Sequence, residues 1–260
     1  NSAVCERKHQ LAEQEQDVFL LCIVPSAPKE GKLRDAIRRT WGNVTKAHNR
    51  RIATIFLLAK TKSTDEKLER KIARENERHR DICKENFIDS YNNLTLKTLM
   101  GLRWAERFCK KAKYILKINT DHVPNLPNLV KHLENAPNTT FVEGFVWKKA
   151  KPKRGEKDKW HMKPSTYSHP VYPDYPDGGA YVISADLVNS LVRLALHVPY
   201  FQFEDVYIGM LLYTIGIAPK HNVAYSKTTL VLQPKRVRHK LLCGFTKSYT
   251  FMTIAMRNTS

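Results

Sequence analysis

Two stretches of the chain are apolar almost without a break: VFLLCIV over 18–24 and IATIFLLA over 52–59. Each has the length of a strand, and a short unbroken apolar run predicts a strand buried on both faces. YILKIN over 114–119, FVEGFVW over 141–147 and AYVISAD over 180–186 predict three more. Between them the spacing becomes helical. KLRDAIRRTWG over 32–42 puts Leu33, Ile37 and Trp41 on one face, with Gly42 to end the helix. Residues 64–80 predict a charged helix capped by Ser63 or Thr64. LTLKTLMGLRWAERFCKK over 94–111 carries Leu96, Leu99, Met100, Trp104 and Phe108 on one stripe. Further helices are expected over 125–136, 186–196 and 204–217, and 81–91 reads as strand or loop. A basic loop fills the space from Trp147 to residue 176. Strand and helix patterns alternate from 18 to 217, which predicts one α/β domain with a mostly parallel sheet. Residues 1–16 are polar with no apolar face and are expected to be a stem or linker, leaving 17–260 as the folded domain.

At 260 residues the chain is long enough to bury a substantial core. Hydrophobic content of 42% and charged content of 27% are those of a globular protein. No run reaches the length of a membrane helix, so the chain is expected to be soluble. Sequons at Asn43, Asn93, Asn138 and Asn258 point weakly to the secretory route. The formal net charge of +19 suits a polyanionic partner, with a merely solvated surface as the bland alternative. Basic residues are scattered through 67–80, 103–117, 147–163 and 235–240 without an RNA-binding aromatic motif or a zinc finger, so nucleic acid is not expected as a partner. Five cysteines stand at 5, 22, 83, 109 and 243 without metal spacing. Cys22 reads as a small core residue, while Cys83, Cys109 and Cys243 are the better candidates for bridges, with their pairing open.

Ligands of α/β sheets bind beyond the carboxyl ends of the strands. The end of YILKIN delivers Asn119, Thr120, Asp121 and His122 to such a place. A strand ending in D-x-D can hold a divalent ion against a diphosphate, because hard carboxylate oxygens suit Mn²⁺ or Mg²⁺. Taken alone, a strand-end aspartate is more often a turn or cap residue.

Several longer pieces carry a resemblance: RDAIRRTWG (34–42), NFIDSYNNLTLKT (86–98), RWAERFCKKAKYILK (103–117), KW (159–160), DGGAYVISADLV (177–188) and FEDVYIGMLLYTIGI (203–217). In order and spacing they resemble the inverting β-1,3-galactosyl- and N-acetylglucosaminyltransferases that use UDP-sugars, glycosyltransferase family 31. The resemblance covers most of 17–217. It implies the glycosyltransferase-A fold: one α/β domain with a twisted mixed sheet flanked by helices. It also implies transfer of galactose, N-acetylglucosamine or N-acetylgalactosamine from a UDP-sugar to a sugar 3-hydroxyl on a glycoprotein or glycolipid, with inversion to a β-1,3 link. Mn²⁺, a Golgi lumen location and a type II membrane anchor ahead of Asn1 are further implications.

By the same resemblance, Arg34 and Arg38 serve the donor diphosphate and organise the core, as the two-donor fork of arginine suits phosphate. Read alone, one of them would only form an ion pair at the sheet edge. Asp89 corresponds to an aspartate at the edge of the nucleotide site, and Lys97 follows on the next helix, where its plain reading is an ordinary surface charge. Asp121 corresponds to the D-x-D carboxylate that touches the metal. Asp205 corresponds to the base that takes the acceptor proton, and Glu204 orients the acceptor or shares that role. Without the other motifs, E-D-V would read as an acidic helix start.

The chain departs from the family pattern in several places. Asn119 stands in place of the first D-x-D carboxylate, and His122-Val123-Pro124 replaces an apolar pair. Pro176-Asp177-Gly178 replaces Cys-Ser-Gly, which deprives Cys109 of its family partner. Val231-Leu232-Gln233 falls where relatives have V-H-Q with a metal-binding histidine; His239 or His122 are the substitutes at hand. These changes make Mn²⁺ weakly held or dispensable. They also raise the competing expectation of a weakened or inactive relative that binds an acidic glycan or a protein.

Overall fold

The computed structural model describes residues 17–62, 65–229 and 242–244. The expected stem, the late V-H-Q-like segment and His239 lie outside them. The strands are β1 (Val18–Pro25), β2 (Lys46–Ala47), β3 (Arg50–Lys60), β4 (Ile82–Ile88), β5 (Tyr114–Ile118), β6 (His122–Pro124), β7 (Val142–Trp147), β8 (Tyr175–Ser184), β9 (Lys220–His221), β10 (Tyr225–Thr229) and β11 (Leu242–Gly244). The helices are α1 (Gly31–Arg38), α2 (Glu66–His79), α3 (Leu94–Phe108), α4 (Leu126–Leu133), α5 (Asp186–Leu194) and α6 (Glu204–Thr214).

The main sheet runs β2-β3-β1-β5-β8-β7-β9, and β4 pairs with β3 on the edge that it shares with β2. β4, β3, β1 and β5 are parallel, whereas β8 runs antiparallel to both β5 and β7. The sheet is therefore mixed, less parallel than alternation alone predicts. A small second sheet orders β10-β11-β6.

The unbroken apolar runs explain the layering. In β1, Leu21 and Ile23 pack with Met100 and Trp104 of α3, Leu191 of α5 and Leu211 of α6. Leu20, Cys22 and Val24 point the other way, into a core with Ile37 of α1 and Leu129 and Val130 of α4. Successive side chains of a strand face opposite sides, so a strand with helices on both faces needs apolar residues at every position. Burial raises the Cys22 thiol to about 12, against the hydrogen bond from Thr54, as fits a core residue.

Some boundaries differ from the sequence reading. α1 stops at Arg38, and Trp41 reaches the core from a short 3-10 turn over Trp41–Asn43. α2 is capped by Asp65, whose carboxylate accepts the Leu68 N–H at 3.0 Å, rather than by Ser63 or Thr64. β8 begins at Tyr175, because Tyr175 and Pro176 pair with Trp147 and Val146. Cys22 and Cys83 carry free thiols, which corrects the expectation of Cys83 as a bridge candidate, while Cys109 is disulfide-bonded, as expected of a bridge candidate.

Candidate active site

Four segments meet beyond the carboxyl ends of β1 and β5: the loop 26–30, residues 119–122, Asp177–Gly179 of β8, and the first turn of α6. Thr120 reaches Glu30 of the loop, and the residue that joins the last three segments is Lys117, the single charge inside β5 and only 1% exposed. Its ammonium reaches Asn119 Oδ1 at 2.9 Å, the Gly178 carbonyl at 2.5 Å and Glu204 Oε2 at 3.0 Å. A buried cation needs such a set of acceptors, since transfer out of water without them costs several kcal/mol. The other oxygen of Glu204 accepts the Tyr181 O–H at 2.5 Å. Burial, followed by the Glu204 charge, pushes the Tyr181 phenol well above its ordinary value.

Asp205, the next residue, is only partly buried. Its Oδ1 accepts the Val206 N–H at 2.9 Å and its Oδ2 the Gly178 N–H at 3.2 Å. Its carboxyl is pushed up to about 6, first by burial and then by the charges of Glu204 and Asp177; the Val206 N–H and Lys117 pull the other way. The acidic pair thus divides. Glu204 is locked into the protein by Lys117 and Tyr181, and the Asp205 carboxyl, held by two backbone N–H groups, is raised to about 6.

The glycines of β8 make this proximity possible. A Cβ on Gly178 would sit 3.0 Å from Asp205 Oδ2, and one on Gly179 would sit 2.4 Å from His122 Nε2. Here the reason for glycine is close approach rather than backbone freedom. His122 in turn pairs with Asp121, Nδ1 to Oδ1 at 2.7 Å. Burial works upward on the Asp121 carboxyl. The His122 hydrogen bond and charge, the backbone N–H and Lys117 outweigh it, leaving this carboxyl below its ordinary value.

On the donor side, Arg34 is 1% exposed. Its guanidinium grips Glu75 with two bonds of 2.7 Å and also reaches Ser26 Oγ at 3.0 Å and the Ala27 carbonyl at 2.8 Å. Arg38 makes a two-pronged bond to Asp81 at 2.8 Å and meets Glu75 at 2.8 Å. Both arginines fasten α1 and the 26–30 loop to α2 and β4. Lys97 is buried rather than a surface charge; its ammonium bonds Asp89 at 2.6 Å and the Ser26 carbonyl at 3.0 Å. Asp89 and Lys97 therefore meet each other and the same loop.

The donor set fits a divalent ion poorly. Mn²⁺ and Mg²⁺ favour several hard oxygens. Here Asn119 Oδ1 already accepts from the Lys117 ammonium, and one oxygen of Asp121 is bonded to His122. Among the described residues no three of His, Cys, Asp and Glu gather as metal ligands.

Lys117 ties Asn119 to Glu204, whereas Asp121 is bonded to His122; Lys117, Tyr181 and Asp177 are not among the residues that the sequence motifs single out. In sequence Lys117 falls within the basic stretch of 103–117. The available signal was a lone charge inside an otherwise apolar strand, which is rare without a partner.

The family model described as Galactosyltransferase matches residues 32–223. Beta-1,3-galactosyltransferase 1 of Homo sapiens is 38% identical over 211 residues, covering 80% of this chain and 64% of that protein. Human lactosylceramide 1,3-N-acetyl-beta-D-glucosaminyltransferase is 37% identical, covering 84% of this chain and 60% of its own length. Rat UDP-GalNAc:beta-1,3-N-acetylgalactosaminyltransferase 1 is 34% identical over 98% of this chain and 79% of that one. The chain belongs to the galactosyltransferase family. It spans less than two thirds of the length of the first two relatives.

Proposed function

We propose that this chain transfers galactose, N-acetylglucosamine or N-acetylgalactosamine from a UDP-sugar to a sugar 3-hydroxyl, with inversion to a β-1,3 link. The observation that carries this reading is Asp205 at the start of α6, its carboxylate held against Gly178 of β8 and raised to about 6, chiefly by burial. Such a carboxylate is ionised near neutral pH yet retains more basicity than a solvated one. In the proposed step it takes the acceptor hydroxyl proton. The acceptor oxygen bonds the anomeric carbon from the face opposite UDP, the bond from that carbon to the phosphate oxygen breaks, and the electron pair leaves with UDP. Lys117 and Glu204 hold Asp205 and the β8 glycines in register. Asp89 and Lys97 shape the nucleotide edge, and Arg34 and Arg38 act by fixing the loop beneath it. The setting proposed for the reaction is the Golgi lumen, with a glycoprotein or glycolipid as acceptor and the anchor ahead of the present chain. The test is a transfer assay with each of the three UDP-sugars over a panel of terminal sugars, with linkage read by NMR. No product from any donor would sink the reading.

The poor donor set favours weak or absent Mn²⁺ dependence, and no step above passes through a metal. Replacing Asn119 with Asp returns a carboxylate to the strand end. By calorimetry, Asn119→Asp is expected to tighten UDP binding only when Mn²⁺ is present. An unchanged metal response would remove residue 119 from the site. The same crowded donor set is what favours the second reading, an inactive relative; that reading expects UDP to bind weakly or not at all in either condition.

The basic loop is expected to draw an acidic glycan. In α2, Arg70 pairs with Glu66, and Glu69 and Glu75 pair with Lys84 and the α1 arginines. Arg154 is spent internally on the carbonyls of Met162, Tyr167 and His169. Lys148, Lys149, Lys151 and Lys153 are exposed. Neutralising these four lysines should lower heparin-column elution salt more than neutralising Lys67, Lys71, Arg74 and Arg78. Equal shifts would mean only a long-range field, screened over about 10 Å at 0.1 M salt.

A further inference from the structure

Next to the catalytic end lies an exposed aromatic group that the transfer step does not use. Tyr91 stands in the 3-10 turn between β4 and α3, and Trp160 in the long loop between β7 and β8. They are 51% and 50% exposed, unusual for side chains of this size. Two hydrogen bonds position the pair. The Trp160 indole N–H donates to the Tyr91 hydroxyl at 3.0 Å, and the Trp160 backbone N–H donates to Asp158 Oδ1 at 2.9 Å. The Lys159 ammonium stands 5.1 Å from the Tyr91 ring centre and 5.4 Å from that of Trp160. No carboxylate pairs with it among the described residues.

Two ties fix this group to the segment that carries the acidic pair. Thr95, at the start of α3, donates to the Phe201 carbonyl at 2.8 Å, and the Tyr200 hydroxyl bonds the Asn92 carbonyl. Phe201 leads directly into Glu204 and Asp205. Burial raises the Tyr91 phenol, and after the opposing Trp160 bond the charges of Asp205 and Glu204 raise it further, so the catalytic carboxylates lie within electrostatic reach.

We propose that Tyr91, Lys159 and Trp160 form an acceptor subsite for an anionic sugar residue, one bearing a carboxylate or a sulfate. This rests on the transferase reading above. The flat apolar faces of a sugar ring match exposed aromatic faces, and with the indole N–H already satisfied, the Tyr91 O–H proton is left to donate to the ligand. A neutral sugar would leave Lys159 with ring contacts alone. An anion adds a charge-assisted hydrogen bond to the ammonium, stronger than a neutral one.

The test uses acceptor pairs that differ in one charged group: a β-galactoside with and without a 6-O-sulfate, and a disaccharide with a hexose or the matching uronic acid. kcat/KM is measured for wild type, Lys159→Gln and Lys159→Arg, with hydrolysis of the UDP-sugar followed in parallel without acceptor. Wild type is expected to favour the charged member of at least one pair by about fivefold, the scale of one partly exposed charge pair. The ratio should fall toward one in Lys159→Gln and return in Lys159→Arg. Which pair responds identifies the anion. Equal kcat/KM within both pairs, or a preference that survives Lys159→Gln, overturns the subsite and leaves the transferase reading standing. Neither transfer nor hydrolysis in wild type overturns both.

Discussion

Replacing Asp205 with Asn is expected to lower transfer by about 10²-fold or more while leaving UDP affinity nearly unchanged, because general base catalysis contributes on that scale and the amide cannot take the proton. Geometry favours a clean result. Asn keeps the shape of Asp and can still accept from Gly178 or Val206 through its one oxygen, so loss of activity without loss of fold is the expected pair of observations. Thermal melting separates the two. Folded Asp205 titrates near 6, above its ordinary value of 3.8, so the folded chain holds this proton more tightly than the unfolded one. Its contribution to stability is fully present below about 3.8 and lost as pH rises through about 6. The Asn variant escapes that loss and should melt no lower than wild type at pH 7. The same value sets the acid limb of the wild-type rate: activity needs the ionised carboxylate and should fall as pH drops below about 6. Wild-type turnover in the Asn variant would remove Asp205 from the mechanism.

Much of the fold was legible because burial on both faces leaves a simple trace. VFLLCIV and IATIFLLA could form only inner strands, and the stripe from Leu96 to Phe108 could form only a helix against them. What stayed hidden was pairing between distant segments. The sequence reads as loop up to residue 176 and as strand only from 180, because proline and two glycines disfavour strands in isolation. Residues 175–179 extend β8 because Trp147 and Val146 lie opposite, and because only glycine admits His122 and Asp205 so closely. Of the site, the acidic residues were visible, since carboxylates at a strand end and a helix start stand out in sequence. Their division of labour was not. Glu204 and Asp205 are adjacent and chemically alike, and their difference comes from Lys117 and Tyr181, on strands remote in the chain. Arg34 and Arg38 could be read as phosphate ligands until Glu75 and Asp81 were found in their forks.

The second large effect is expected at Lys117. Lys117→Met removes the cation from Glu204 while leaving the carboxylate, 3% exposed, in place. A buried charge stripped of its partner typically costs about 3–5 kcal/mol, a large fraction of the stability of a domain. Loss of the bonds to Asn119 Oδ1 and the Gly178 carbonyl should also loosen the end of β5 against β8. If the damage comes from the stranded charge, Lys117→Met/Glu204→Gln should recover much of it, since neutralising both partners removes the penalty and the Gln side chain can still accept from Tyr181. Denaturant midpoints of the two single variants and the double variant measure this. A double variant as unstable as the sum of the singles would assign the loss to packing and the strand-end bonds instead. Where Lys117→Met remains folded, its rate profile gives an independent reading. Lys117 holds the Asp205 carboxyl down, so its removal should carry the acid limb above about 6. An acid limb left where wild type has it would mean that Lys117 supports the fold without tuning the base.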